Sequence, residues 1–150
     1  MCEWRIRRAS QADVDAVRAI AKTAYAPLAA HLPVRPEPLT VDYRAIIDRG
    51  DTWVAERRNR VGGYIVVANA NTLSIDNIAV DPAFQSIGLG RRLLAHAEAL
   101  GVARGFERVR LYTPVAAYAN RRWYERHGYI EYDRRIDQEI DRVYFEKQLI

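Results

Sequence analysis

The stretch NIAVDPAFQSIGLGRRLL, from Asn77 to Leu94, decides the fold. Asn77 to Val80 reads as the end of a strand, and Asp81-Pro82 as a turn. Gln85-Ser86-Ile87-Gly88-Leu89-Gly90 is a polar, glycine-spaced loop that runs straight into a helical pattern at Arg91. A loop that opens a helix leaves several backbone N–H groups unpaired and pointing one way. With the positive end of the helix dipole behind them, such amides bind phosphate. Side chains at the glycines would hold a ligand off the backbone. A P-loop is excluded, because no Lys-Ser or Lys-Thr follows Gly90; Gly-x-Gly-x-x-Gly is excluded, because Arg91-Arg92-Leu93 follows it. Gln-x-x-Gly-x-Gly after a strand is what remains.

Outward from this loop the chain alternates between strand and helix signals. Trp4-Arg5-Ile6-Arg7 alternates apolar and charged residues, as a half-buried strand does. Ser10 offers a helix cap with Asp13 three residues on, and Val14, Val17, Ala21 and Ala24 predict a helix ending near Tyr25. Pro27 to Pro38 carries four prolines and no period, so it predicts a loop, long enough to be functional. Thr40 is the expected cap of a short second helix through Tyr43, Ile46 and Ile47, stopped by Gly50. Trp53–Glu56, Gly63–Val67 and Leu73–Val80 predict an antiparallel meander with short polar turns. Leu89, Leu93, Ala97 and Leu100 give a third helix one face. Val109–Tyr112 reads as a strand, Asn120 to His127 as a helix stopped by Gly128, and Ile130–Tyr132 and Val143–Phe145 as the last strands. The order predicts an α+β fold, helices on a mixed, mostly antiparallel central sheet, in a single domain over residues 1–150.

Composition narrows the function classes. The chain has 150 residues, 49% apolar and 28% charged, enough for a core of its own. No apolar run approaches the ~20 residues of a membrane span, and the first residues lack an apolar leader core. A cytoplasmic protein is expected. The single Cys2 forms no internal disulfide and is assigned no role. Net charge is +4, but the arginines are dispersed in pairs, which argues against nucleic acid as the partner. The three histidines are scattered, and no metal-ligand spacing exists.

A second motif lies downstream. Asn120 and Tyr124 are four residues apart, on one helical face, and Gly128-Tyr129 follows. Asn-x-x-x-Tyr-x-x-x-Gly-Tyr, together with the glycine loop and the element order, resembles the GNAT superfamily of acyl-CoA N-acyltransferases over essentially the whole chain. The resemblance implies an acetyl-CoA-dependent N-acetyltransferase acting on an amine: a small molecule, an amino acid or a peptide N-terminus. It implies that Gln85, Ser86, Ile87, Gly88, Leu89, Gly90 and Arg91 hold the pyrophosphate. By the same resemblance Ile78, Ala79 and Val80 pair with the pantetheine arm as an added strand, and Asn120 lies beside that arm. Tyr124 becomes the acid that protonates the departing thiolate. The chemistry agrees, since a phenol of pKa ~10 holds a proton ready for a thiolate of pKa ~8.5.

Two departures stand out. Ser86 and Ile87 occupy positions where the family commonly has a glycine and a basic residue, and Pro114 and Ala117 replace a common asparagine and methionine. The base is not named by the residues: Asp76, a water chain or a second tyrosine would each serve. The resemblance places Tyr25, Asp42 and Tyr43 in the helix-loop-helix that covers the acceptor, and a homodimer through the last strands is common in the family. The rival class is a catalytically silent basic module that binds CoA or nucleic acid.

Overall fold

The computed structural model describes residues 3–149; Cys2 lies outside the described residues. In chain order the strands are β1 (Arg5–Arg8), β2 (Thr52–Arg57), β3 (Arg60–Asn69), β4 (Leu73–Val80), β5 (Arg108–Pro114), β6 (Ile130–Asp137) and β7 (Ile140–Gln148). The helices are α1 (Val14–Ala29), α2 (Tyr43–Asp48), α3 (Leu89–Ala103) and α4 (Tyr118–Arg126). All seven strands form one sheet, in the order β1-β2-β3-β4-β5-β7-β6. Only the β4–β5 pair is parallel. The expected α+β order of elements is therefore what the chain adopts. Among the described residues no helix is long and apolar enough to cross a membrane.

Alternation along the strands creates two cores. One face of the sheet packs Ile65, Val67, Leu73, Ile75 and Leu111 against Leu89, Leu93, Leu94 and Ala97 of α3 and Tyr124 of α4. The opposite face packs Val54, Tyr64, Val66 and Ala79 against Val14, Val17, Ile20 and Ala21 of α1 and Tyr43 and Ile47 of α2. The β2–β3 and β6–β7 turns each put two residues at positive φ, Arg58-Asn59 and Gln138-Glu139. That is the backbone of the tight hairpin whose twist matches its strands.

Three boundaries differ from expectation. Helix α1 runs through Pro27 to Ala29, because a proline this close to the helix end sacrifices a single hydrogen bond. Thr40 does not cap α2; it closes a 3₁₀ turn at Glu37–Leu39, and Asp42 is the cap, its carboxylate accepting from Arg44 and Ala45 N–H at 3.0 and 3.3 Å. The last two strands extend well beyond the short apolar runs that announced them.

A buried ion pair pins β1 to the start of α1. Arg7 spans Asp13 (2.8 and 2.9 Å) and Glu56 (2.7 Å), and Asp13 also accepts from Ser10 N–H at 2.8 Å. The hydrogen bond from Arg7 holds the Asp13 carboxyl below its ordinary 3.8, against the opposing effect of burial. A lowered carboxyl stabilises the fold above its unfolded pKa and loses that contribution as pH falls through the folded value. Asp13→Asn is expected to cost about 1–2 kcal/mol at pH 7, and less as pH falls below the ordinary carboxylate range, read by urea unfolding across that range.

Candidate active site

β4 and β5 pair over a short span only, Leu73–Ile75 with Val109–Leu111. Beyond Ile75 the two strands part, although β4 continues to Val80 and β5 to Pro114. The cause lies in β4. Val66 of β3 faces Asn77 and Val67 faces Ile75, so Asp76 is an extra residue on the β4 side. Such a bulge bends its strand and increases the local twist. The parting leaves the β5-facing edge of β4 from Asp76 to Val80 without a strand partner, the kind of edge that binds extended ligands by ladder hydrogen bonds.

The loop expected to bind phosphate stands at the open end of this cleft. Gly88 adopts φ +89 as the N-cap of α3, and Ser86 is also left-handed, at φ 72. The first bond into the helix is Arg92 N–H to the Gly88 carbonyl at 3.1 Å, so the amides of Leu89, Gly90 and Arg91 precede any intrahelical partner. A Cβ on Gly88 would project into open space, with no protein atom within 4 Å, so the cradle beside it is free for a ligand. Gly90 admits Trp123, whose ring would stand 3.3 Å from a Cβ there. Ser86, Ile87 and Arg91 are exposed and Leu89 is buried as the first anchor of α3. Gln85 acts through its side chain on the protein itself, donating to the Val80 carbonyl at 3.1 Å.

Tyr124 projects from α4 into the core, its ring against Phe145 of β7, and is 7% exposed. Its hydroxyl makes no hydrogen bond among the described residues, and burial raises its pKa well above that of a free phenol. It therefore stays protonated through the physiological range, with its hydrogen uncommitted. Asn120, on the same helix, is exposed.

On the α1–α2 side of the cleft, hydroxyls converge on Asn77. Tyr25 donates to the Ile78 carbonyl at 2.8 Å and to Asn77 Oδ1 at 3.1 Å; Tyr64 donates to the same Oδ1 at 3.0 Å. Asn77 Nδ2 donates to the Tyr43 oxygen at 2.6 Å, and Tyr43 donates to the Pro38 carbonyl at 2.6 Å. Burial raises the pKa of Tyr25, and the charges that would form on Tyr124, Tyr43 and Tyr112 raise it further, so these phenols surround one space. Tyr43 is 2% exposed and serves the network and the core. Asp42 is occupied with capping α2.

Asp76 and Tyr112 are the next residues after the last paired positions, Ile75 and Leu111, and they flank the point where the strands part. Asp76 is exposed and accepts from Ser74 Oγ at 2.8 Å. Crowding around its carboxyl raises the pKa above the ordinary 3.8, while Ser74 and Arg49 oppose this and Glu37 reinforces it. Sequence reasoning missed Tyr112, Tyr64, Glu37 and the Asn77 side chain. A polar Asn77 within an apolar strand was the one signal available.

A glycine-capped helix start, a strand edge without a strand partner and a buried phenol are thus the features of the cleft. Residues 48–131 match the family model described as acetyltransferase (GNAT) domain. This is more than half of the chain, and the chain belongs to that family, an acyltransferase enzyme. The ribosomal-protein-S18-alanine N-acetyltransferase of Escherichia coli superposes with TM-score 0.79 at 20% identity, over 98% of this chain and 94% of that one. The PaiA N-acetyltransferase of Thermoplasma acidophilum, solved with coenzyme A, gives 0.78 at 18%, over 97% and 99%. The yncA protein of Salmonella typhimurium, a putative acetyltransferase solved with its cofactor acetyl-CoA, gives 0.75 at 20%, over 99% and 95%. At such identities the likeness concerns the fold. The curated proteins contain no match. Among the described residues no cluster of His, Cys, Asp or Glu is arranged to hold a metal ion.

Asn77→Ala removes the amide that joins three tyrosine hydroxyls, leaving Tyr25 with Ile78, Tyr43 with Pro38 and Tyr64 with Tyr43 alone. A loss of about 2 kcal/mol is expected, measured as a drop in the thermal midpoint.

Proposed function

We propose that the protein transfers an acetyl group from acetyl-CoA to an amine by direct attack in a ternary complex. The observation that carries this reading is the alignment of three features along one cleft: free amides at the start of α3, the unpaired edge of β4, and the uncommitted Tyr124 hydroxyl. The amides from Ser86 to Arg91 would hold the pyrophosphate, with Gln85 bracing the loop against Val80. Main-chain groups of Ile78, Ala79 and Val80 would pair with the pantetheine arm, whose amides match a strand's donors and acceptors. Asn120 would lie along the same route. Acetyl-CoA supplies an activated thioester; the chain's part is to bind it, exclude water and hold a proton at Tyr124 Oη for the departing sulfur.

The acceptor would enter from the α1–α2 side. Tyr25 fixes the Ile78 carbonyl, and Tyr43 anchors the proline-rich loop through Pro38. Asp76 supplies negative charge at the parting of the strands, which favours a cationic amine.

Calorimetry with acetyl-CoA and with desulfo-CoA tests the reading; binding of neither removes it. Tyr124→Phe is expected to lower turnover about 10²-fold with cofactor affinity kept. Unchanged turnover contradicts the acid role, and binding without turnover in the native protein favours a silent CoA-binding module.

A further inference from the structure

One hydrogen bond across the cleft is explained neither by the core nor by the roles given so far. Tyr112 of β5 donates to the carboxylate of Glu37, which lies 75 positions away in the proline-rich loop. The loop is built to keep Glu37 there. Its main-chain carbonyl accepts from Thr40 N–H (2.9 Å), Val41 N–H (3.2 Å) and Thr40 Oγ1 (3.1 Å), and the next residue, Pro38, is tied to Tyr43. Tyr112 is equally fixed. The guanidinium of Arg142 lies 4.4 Å from its ring centroid, the ring of Tyr144 packs at 5.5 Å, and Arg142 is itself held by Asp137 at 2.9 Å and only 5% exposed.

The direction of this bond determines the chemistry. A phenol has one hydrogen, and in Tyr112 it is committed to Glu37. The Tyr112 oxygen therefore presents lone pairs to the cleft. Tyr25, on the opposite wall, has likewise spent its hydrogen on Ile78 and Asn77. Tyr124 has not. The cleft thus offers acceptors where an amine would arrive and a donor where a thiolate would depart.

We propose that Glu37 and Tyr112 form the site that receives the acceptor's ammonium and relays its proton. The inference rests on the transferase reading. An N–H of the ammonium donates to Tyr112 Oη, and that proton passes to Tyr112 as its own passes to Glu37. The products are a neutral amine, a neutral phenol and a protonated Glu37, so charge and protons balance. Arg142 beneath the ring stabilises the negative charge that passes through Tyr112. The charged groups facing the pair are Asp76 on β4 and Arg142 on β7, with Arg49 after α2 acting on Asp76 and the neutral phenol of Tyr25 on α1. Asp76 attracts the cation alongside; its carboxylate accepts from Ser74, whereas the carboxylate that accepts from Tyr112 is Glu37.

The test uses acetyl-CoA with trialanine (α-amino pKa ~8) and with Nα-acetyl-lysine amide (ε-amino pKa ~10.4), following release of free CoA thiol from pH 6 to 10.5. Glu37→Gln keeps an acceptor for the Tyr112 hydroxyl but cannot take its proton. It is expected to lower kcat/KM about 10²-fold at pH 7 for whichever amine the native enzyme uses. The deficit should shrink as pH passes the amine's own pKa, with KM for acetyl-CoA unchanged. Tyr112→Phe should show the same pH profile. A native pH profile in Glu37→Gln, or a deficit independent of pH, overturns the relay, as does that profile appearing in Asp76→Asn instead. Consumption of neither amine overturns the assignment of Glu37 and Tyr112 as an ammonium site. Calorimetric binding of acetyl-CoA by the same preparation then shows whether the transferase reading survives.

Discussion

The site exists because β4 and β5 cannot stay together. A parallel pair held only from Leu73 to Ile75 must open once the Asp76 bulge turns β4 aside, and β5 then follows β7 instead. Opening exposes main-chain donors and acceptors in the middle of a sheet, where they would normally be satisfied. An unpaired polar edge of this kind is costly unless something extended completes it. The hydrogen bonds around Asn77 set the shape of the opening by clamping β4 on its other side to α1, β3 and the loop before α2. The helix that begins at Gly88 aims its amides along the same opening.

Polarity divides the cleft into two walls. Tyr25 and Tyr112 have given their hydrogens to fixed protein oxygens, so both walls near the acceptor accept hydrogen bonds. Tyr124 alone retains a hydrogen, in surroundings dry enough to keep it. A proton must leave an ammonium and another must reach a sulfur during acyl transfer, and on the proposed reading the two needs would be met on opposite sides. Commitment of each hydroxyl by its neighbours, more than the identity of the residues, creates the asymmetry.

The fold was legible because it is written in periodic patterns. Alternation marked β2 to β4, and the spacing of Leu89, Leu93 and Ala97 marked α3. The glycine loop was legible because glycine is the residue that best suits φ +89 at Gly88 and gives Trp123 close approach at Gly90. The helix through Pro27 was hidden because proline is a local stop signal that a nearby helix end overrides. Asp42 caps α2, a task common for aspartate that the sequence pattern assigns to Thr40 two residues earlier. Glu37 and Tyr112 meet across 75 positions, and no local pattern announces such a contact. The bulge at Asp76 is a mismatch between two strands, so neither strand records it alone.

The central claim is that main-chain amides at the start of α3 hold the diphosphate of coenzyme A and direct its arm along the edge of β4. Amide ¹⁵N–¹H spectra of the protein, titrated with coenzyme A, test it most directly. The largest shifts should fall on Ser86 to Arg91, with a second group on Ile78 to Val80. Shifts confined to the arginine-rich surfaces of β6 and β7, with the loop amides unmoved, would contradict it.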